Sequence, residues 1–201
     1  MNGTGTSTTS FTLNDGNNWY FHIRTKDNAG NWNSSAVHLG PFFIDANPPL
    51  NPTSITSSSH QINTWNTDRT IDISWSGASD GGGSGVAGYS WSWDSSPSSI
   101  PDNTIDGTGN STTCNPLEDG NNWYFHIRTK DNAGNWNSTT VHMGPFFIDA
   151  NPPSNPTSIT STSHQVNTWS SDRTIDISWS GANDGSGSGI CLLYTSPSPR
   201  D

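Results

Sequence analysis

The chain has 201 residues and a formal net charge of −10, with two lysines, Lys26 and Lys130. Such a surface repels phosphate backbones and excludes nucleic acid as a natural partner, and no apolar run approaches the roughly 20 residues that a membrane-spanning helix needs. Hydrophobic residues make up 28% and charged residues 12%, a balance that borders on disorder, yet ten tryptophans recur at fixed places. Each aromatic can bury roughly 150–250 Å², which favours small aromatic cores over a disordered chain.

The stretch DGNNWYFHIRTKDNAGNWNS begins at Asp15 and returns unchanged at Asp119, an offset of 104 residues (Trp19 to Trp123). That is one domain's length. In this register 1–46 matches the second part of a unit, 47–150 is a complete unit, and 151–190 matches the first part of another. Met1 aligns with Ile105 in mid-unit, so the lack of a leader segment carries no weight. Both partial units are expected to lack strands that would cover their apolar faces.

Within 47–150 the hydrophobic period is two, and no helical period of 3.6 is found. A Pro-rich segment, NPPLNPTSIT, comes first. RTIDISWS then predicts a strand with Ile71, Ile73 and Trp75 buried and Asp72 and Ser74 wet. After the turn SDGGGSG, GYSWSWD predicts a second strand with Tyr89, Trp91 and Trp93 in the core. SSPSSIPDN and LEDGNN read as turns. NWYFHIRTKD predicts a strand with Trp123, Phe125 and Ile127 inward and Tyr124, His126 and Arg128 outward and solvated. DNAGN is a turn, and VHMGPFFID reads as a last strand interrupted at Gly144 and Pro145. Cys114 stands where the preceding unit has Ser10, so it reads as a serine-sized strand residue rather than half of a disulfide. From Ile190 the register predicts text like AGYSWSWD, but the chain ends CLLYTSPSPRD. Residues 191–201 resemble a translated sequencing-library adapter and are set aside from fold reasoning, Cys191 included.

Short strands, Gly/Pro turns and no helix predict an all-β, antiparallel β-sandwich. The Pro-rich NPPLNPTSIT, the strand ending in Trp75, the opening GVAGYSWSW and the run DGNNWYFHIRTKDNAGN resemble a fibronectin type III or related bacterial immunoglobulin-like repeat, over 1–190. The resemblance implies that Trp75 and Tyr89 fill the core. Where the family carries a tyrosine whose hydroxyl forms a corner, this chain has Trp123, which would need an indole N–H bond instead.

Motifs for catalysis are absent: there is no HExxH, Cys-x-x-Cys or GxSxG. Histidines recur in pairs, His60 with His164, His22 with His126 and His38 with His142, without metal-ligand spacing. Gly185–Gly189 (GSGSG) lacks the following helix of a phosphate cradle and reads as a loop. Calcium is the one metal weighed, because SDGGGSG at Asp80 and KDNAGN at Asp131 supply hard oxygen donors, although Asp beside Gly is also ordinary turn chemistry. Trp65 and Trp136, in turn-like text, are weighed as sugar platforms. Asn33, Asn110 and Asn137 begin N-x-S/T sequons, which mark surface acceptors in an exported parent. The expectation is a non-enzymatic, cofactor-free extracellular or cell-surface spacer or adhesion repeat of a larger bacterial or archaeal protein. Its partners would be neighbouring repeats, with a surface glycan or protein as a further one. The alternative is an accessory carbohydrate-binding repeat of a secreted polysaccharide-acting enzyme.

Overall fold

A computed structural model describes residues 5–191. Cys191 alone of the last eleven residues falls in that range, so the adapter reading of the tail lies outside the described residues. Among these residues there is no helix, and hence none long and apolar enough to cross a membrane. The strands are β1 (Gly16–Ile23), β2 (Val37–Ile44), β3 (Ser54–Ser57), β4 (Trp65–Asn66), β5 (Asp72–Ser76), β6 (Val86–Asp94), β7 (Ser111–Thr113), β8 (Gly120–Asp131), β9 (Val141–Ile148), β10 (Ser158–Ser161) and β11 (Ile177–Ser180).

Four sheets result: β1–β2, β3–β5–β7, β4–β9–β8–β6 and β10–β11. All pairs are antiparallel except β4 with β9, where Trp65 sits opposite Phe147. The two larger sheets enclose one core. Alternation along 71–75 sends Ile71, Ile73 and Trp75 into it from one sheet, and Phe125, Ile127, Phe146 and Ile148 meet them from the other. Tyr89, Trp91, Trp93 and Trp123 are half-buried and pack against this core. Trp75 stacks on Phe125 at 6.0 Å between ring centroids and meets Tyr89 edge-on at 5.3 Å. Such geometry adds about 0.5–1.5 kcal/mol per pair to area burial. The Trp123 indole N–H donates to the Glu118 carbonyl at 2.9 Å, and Trp19 repeats this bond with Asn14. Cys114 is a free, buried thiol whose sulfur accepts the Ile71 N–H, just past the end of β7.

The outward side of β8 differs from its sequence-based reading. His126 is 0% exposed, bonded to His142 and Asp94, and Arg128 is buried where the segment 95–110 folds back over its neighbourhood. Asp102 accepts from the Ser90 hydroxyl, Asn103 from Arg128, and Gly107 bridges to Tyr89. Gly88 permits this approach: a Cβ there would lie 2.8 Å from the Gly107 carbonyl oxygen and from Ile105. Strand alternation alone registers one face of β8 and cannot show that a loop covers the other.

The same sequence meets two fates along the chain. Phe125 and Trp75 are 0% and 3% exposed, whereas their repeat counterparts Phe21 and Trp179 are 40% and 43% exposed, on the isolated pairs β1–β2 and β10–β11. Trp75→Ala should therefore cost about 3–5 kcal/mol in urea unfolding, and Trp179→Ala, in dilute solution, less than about 1 kcal/mol. Equal losses would contradict the burial pattern.

Candidate metal centre

Three carboxylates converge where the N-terminal hairpin joins the central sandwich. Asp45 follows the end of β2, Asp80 opens the turn after β5, and Asp131 is the last residue of β8. One oxygen from each lies within 4.8 Å of the others. The local turns hold them in place. Asp80 Oδ2 accepts the Gly85 N–H at 2.6 Å, and Asp45 Oδ2 accepts the Ser84 N–H at 2.7 Å. Asp131, 1% exposed, accepts the N–H groups of Gly134 and Asn135 on Oδ1 and the Asn135 side-chain amide on Oδ2. Gly83 must be glycine here, since a Cβ would sit 2.7 Å from Asp80 Oδ2 and 2.8 Å from Asp45 Oδ2.

The cluster has unfilled coordination capacity. Asp45 Oδ1 is buried and accepts no hydrogen bond. Among the described residues the salt bridges join Arg69 to Glu118 and Asp119, and His126 to Asp94, so no cationic side chain pairs with the three carboxylates. The Ser84 hydroxyl and N–H hold the Asp45 carboxyl below the usual aspartate value, which keeps it ionised. Converging, ionised oxygen donors of this kind suit a hard divalent cation, with carbonyls and water completing the shell. An open cleft of about 360 Å³ beside the cluster, lined by Asp15, Asn47 and the 79–83 turn, gives solvent access.

Sequence reading singled out Asp80 and Asp131, and the structure brings these two together. Asp45 was missed because it lies in the preceding sequence unit, yet IDANPP, repeated at Asp149, marks an acid at the end of a strand before a Pro-rich link. The second joint repeats the arrangement: Asp149 accepts the Ser188 N–H, Asp184 accepts the Gly189 N–H, and Asp149 Oδ1 is again buried and unpartnered. The counterpart of Asp131 would fall one repeat later, beyond the sequence, so three carboxylates meet only at the first joint among the described residues.

The remaining candidates are engaged in packing. Trp136 carries the Arg128 guanidinium at 4.9 Å and the Lys130 ammonium at 5.4 Å from its ring. Trp65 packs on Phe147 at 5.2 Å. His60 uses both ring nitrogens, one with the Ser59 hydroxyl and one with the Asp68 carbonyl. Gly185–Gly189 forms a turn after β11. His126 is not solvated: it bonds His142 through the two Nδ1 atoms at 2.6 Å and Asp94 at 3.2 Å. No protein-family model, curated protein or solved structure matches the chain.

Desolvation of its ring, and then the neighbouring His126, hold the His142 imidazole below the ordinary histidine value. A base with a depressed folded-state value takes up its proton more readily when unfolded. Its contribution is therefore complete above about pH 6.5 and declines as pH falls through the folded value. Urea unfolding at pH 7.5 and 5.5 should show this fall, and His142→Gln should flatten it; stability that rises toward pH 5.5 would contradict the assignment.

Proposed function

We propose that this chain is part of a non-catalytic spacer or adhesion array of an extracellular or cell-surface protein, bacterial or archaeal in type. Its repeats are immunoglobulin-like, fibronectin type III-like sandwiches, and its joints are locked by calcium. The fold reading is supported by the strand order, β3–β5–β7 facing β4–β9–β8–β6, and by the core of Trp75 and Tyr89 between the sheets.

One observation carries the functional reading: the link between consecutive repeat units is fastened on both sides. Asp15 of the preceding hairpin accepts the Ala46 N–H and the Asn47 side-chain amide. From the following unit, Asn135 donates to the Asp45 carbonyl at 3.1 Å and Asn137 to the Pro49 carbonyl at 2.7 Å. Asn51 in the link donates to the Thr139 carbonyl and accepts the Thr129 N–H, and Leu50 pairs with Ser79 through two backbone bonds. Two prolines, Pro48 and Pro49, restrict the same segment. A link held this way transmits orientation from one unit to the next, which is what a semi-rigid stalk requires. The three carboxylates bridge the same joint, so a cation there would add a lock that spans both units. In the complete unit the two tryptophans weighed as sugar platforms, Trp65 and Trp136, each pack against neighbouring side chains, which favours the spacer reading over the carbohydrate-binding one.

Calorimetric titration of the full chain with calcium should show one main site. Asp131→Asn should weaken it by at least about tenfold, since loss of a charged ligand removes one of three carboxylates. Calcium should also raise the unfolding temperature, with a rise that continues with the logarithm of its free concentration above saturation. No heat and no thermal shift at millimolar calcium would remove the cation from the proposal.

A further inference from the structure

The six histidines fall into two kinds. His60 and His164 spend both ring nitrogens on nearby loop groups, Ser59 and Asp68 for one, Ser163 and Asp172 for the other. The other four meet across strands. His126 on β8 sits opposite His142 on β9, and His22 on β1 opposite His38 on β2, although 16 residues separate the members of each pair. Nδ1 faces Nδ1 in both, at 2.6 Å and 2.5 Å. Between neutral rings a single proton makes such a contact, so one Nδ1 donates and the other offers its lone pair.

In the central unit Asp94 decides which. Its Oδ1 lies 3.2 Å from His126 Nε2. Burial opposes the charge of Asp94, but hydrogen bonds from Ser99 and Ser96 hold its carboxyl below the ordinary aspartate value, so it is ionised and accepts the Nε2 proton. The lone pair of His126 Nδ1 is therefore directed at His142, whose own Nε2 makes no bond among the described residues. The two rings are nearly perpendicular, at 74°. His126 is fully buried and His142 is exposed, so one nitrogen is fixed and the other can move. Opposite His126 on β6, the Ser92 hydroxyl is buried without a partner.

We propose that His126 and His142 form a binding site for a divalent transition ion, represented by zinc, held through both Nδ1 atoms while Asp94 orients the inner ring. A carboxylate on the far nitrogen of a ligating histidine fixes its tautomer and raises its basicity. Imidazole suits zinc and copper, whereas calcium takes oxygen, so this pair and the carboxylate joint select different ions. Zinc holds nitrogen at about 2.0–2.1 Å, which sets two tetrahedral ligands about 3.3 Å apart. The rings must part by about 0.7 Å from the observed 2.6 Å, a small rotation of the exposed His142. The His142 Nδ1 proton leaves to solvent and Nε2 takes one up, so both Nδ1 lone pairs bind the ion and the neutral pair keeps its proton count. Two histidines leave coordination positions for water. The site rests on the cross-strand register and is independent of the spacer reading and of calcium.

Zinc titration of the full chain, followed by nitrogen NMR of the histidine rings, tests the proposal because the readout names the nitrogen that binds. Before zinc, His126 should carry its proton on Nε2. With zinc, the Nδ1 resonances of His126 and His142 should shift together while those of His60 and His164 stay in place. His142→Gln should raise the zinc concentration needed for the His126 shift by about tenfold or more. Asp94→Ala should mix the His126 tautomers in the zinc-free protein and weaken zinc by about tenfold. A cooperative urea transition shows that each variant remains folded. No shift at either Nδ1 in millimolar zinc would overturn the proposal, as would a His126 shift that His142→Gln leaves unchanged. Wild-type tautomer and affinity in Asp94→Ala would overturn the role given to Asp94.

Discussion

The constraint on which the structure depends is that neither half of a sandwich can bury its own apolar face. The early strands offer Ile71, Ile73 and Trp75, the late strands offer Phe125, Ile127, Phe146 and Ile148, and each set is removed from water only by the other. With 28% hydrophobic residues there is little to spare. Aromatic rings do what a larger aliphatic core would do elsewhere, and Trp75 touches Tyr89, Trp91 and Phe125 at once. On the pairs β1–β2 and β10–β11 the repeat counterparts Phe21 and Trp179 stand partly in solvent.

The joint is built from the same turns that close the sandwich. SDGGGSG and DNAGN return the chain between strands, and their Asp80 and Asp131 are fixed by backbone N–H groups of those turns. The preceding unit contributes only Asp45, set at the end of β2 before the Pro-rich link. Asp45 Oδ1 is buried and unpartnered there, as Asp149 Oδ1 is at the second joint.

Much of this was legible from spacing. The period of two placed Ile71, Ile73 and Trp75 on one face, where the structure has them in the core. The short strands β3, β4 and β7 were not legible, because two to four residues carry too little alternation to distinguish them from turns. The burial of His126 was hidden for a different reason. It depends on His142 and Asp94 meeting it from the neighbouring strands, long-range contacts that leave no local pattern. Asp45 escaped notice because the site crosses a sequence-unit boundary, and an acid before two prolines is also common turn chemistry.

Residues 15–34 and 119–138 have the same sequence, so any difference between them comes from their surroundings: β8 is flanked by β6 as well as β9 and covered by the facing sheet, whereas β1 pairs with β2 alone. Amide hydrogen exchange by nuclear magnetic resonance, at a concentration where the chain is monomeric, would compare Ile23 with Ile127 directly. Both lie in antiparallel hairpins, opposite Val37 and Val141. Slow exchange at Ile127, near the global unfolding limit, with fast exchange at Ile23, is the expected result. Equal protection at the two sites would contradict the dependence of each half on the other, because the hairpin alone would then be enough to hold the strand.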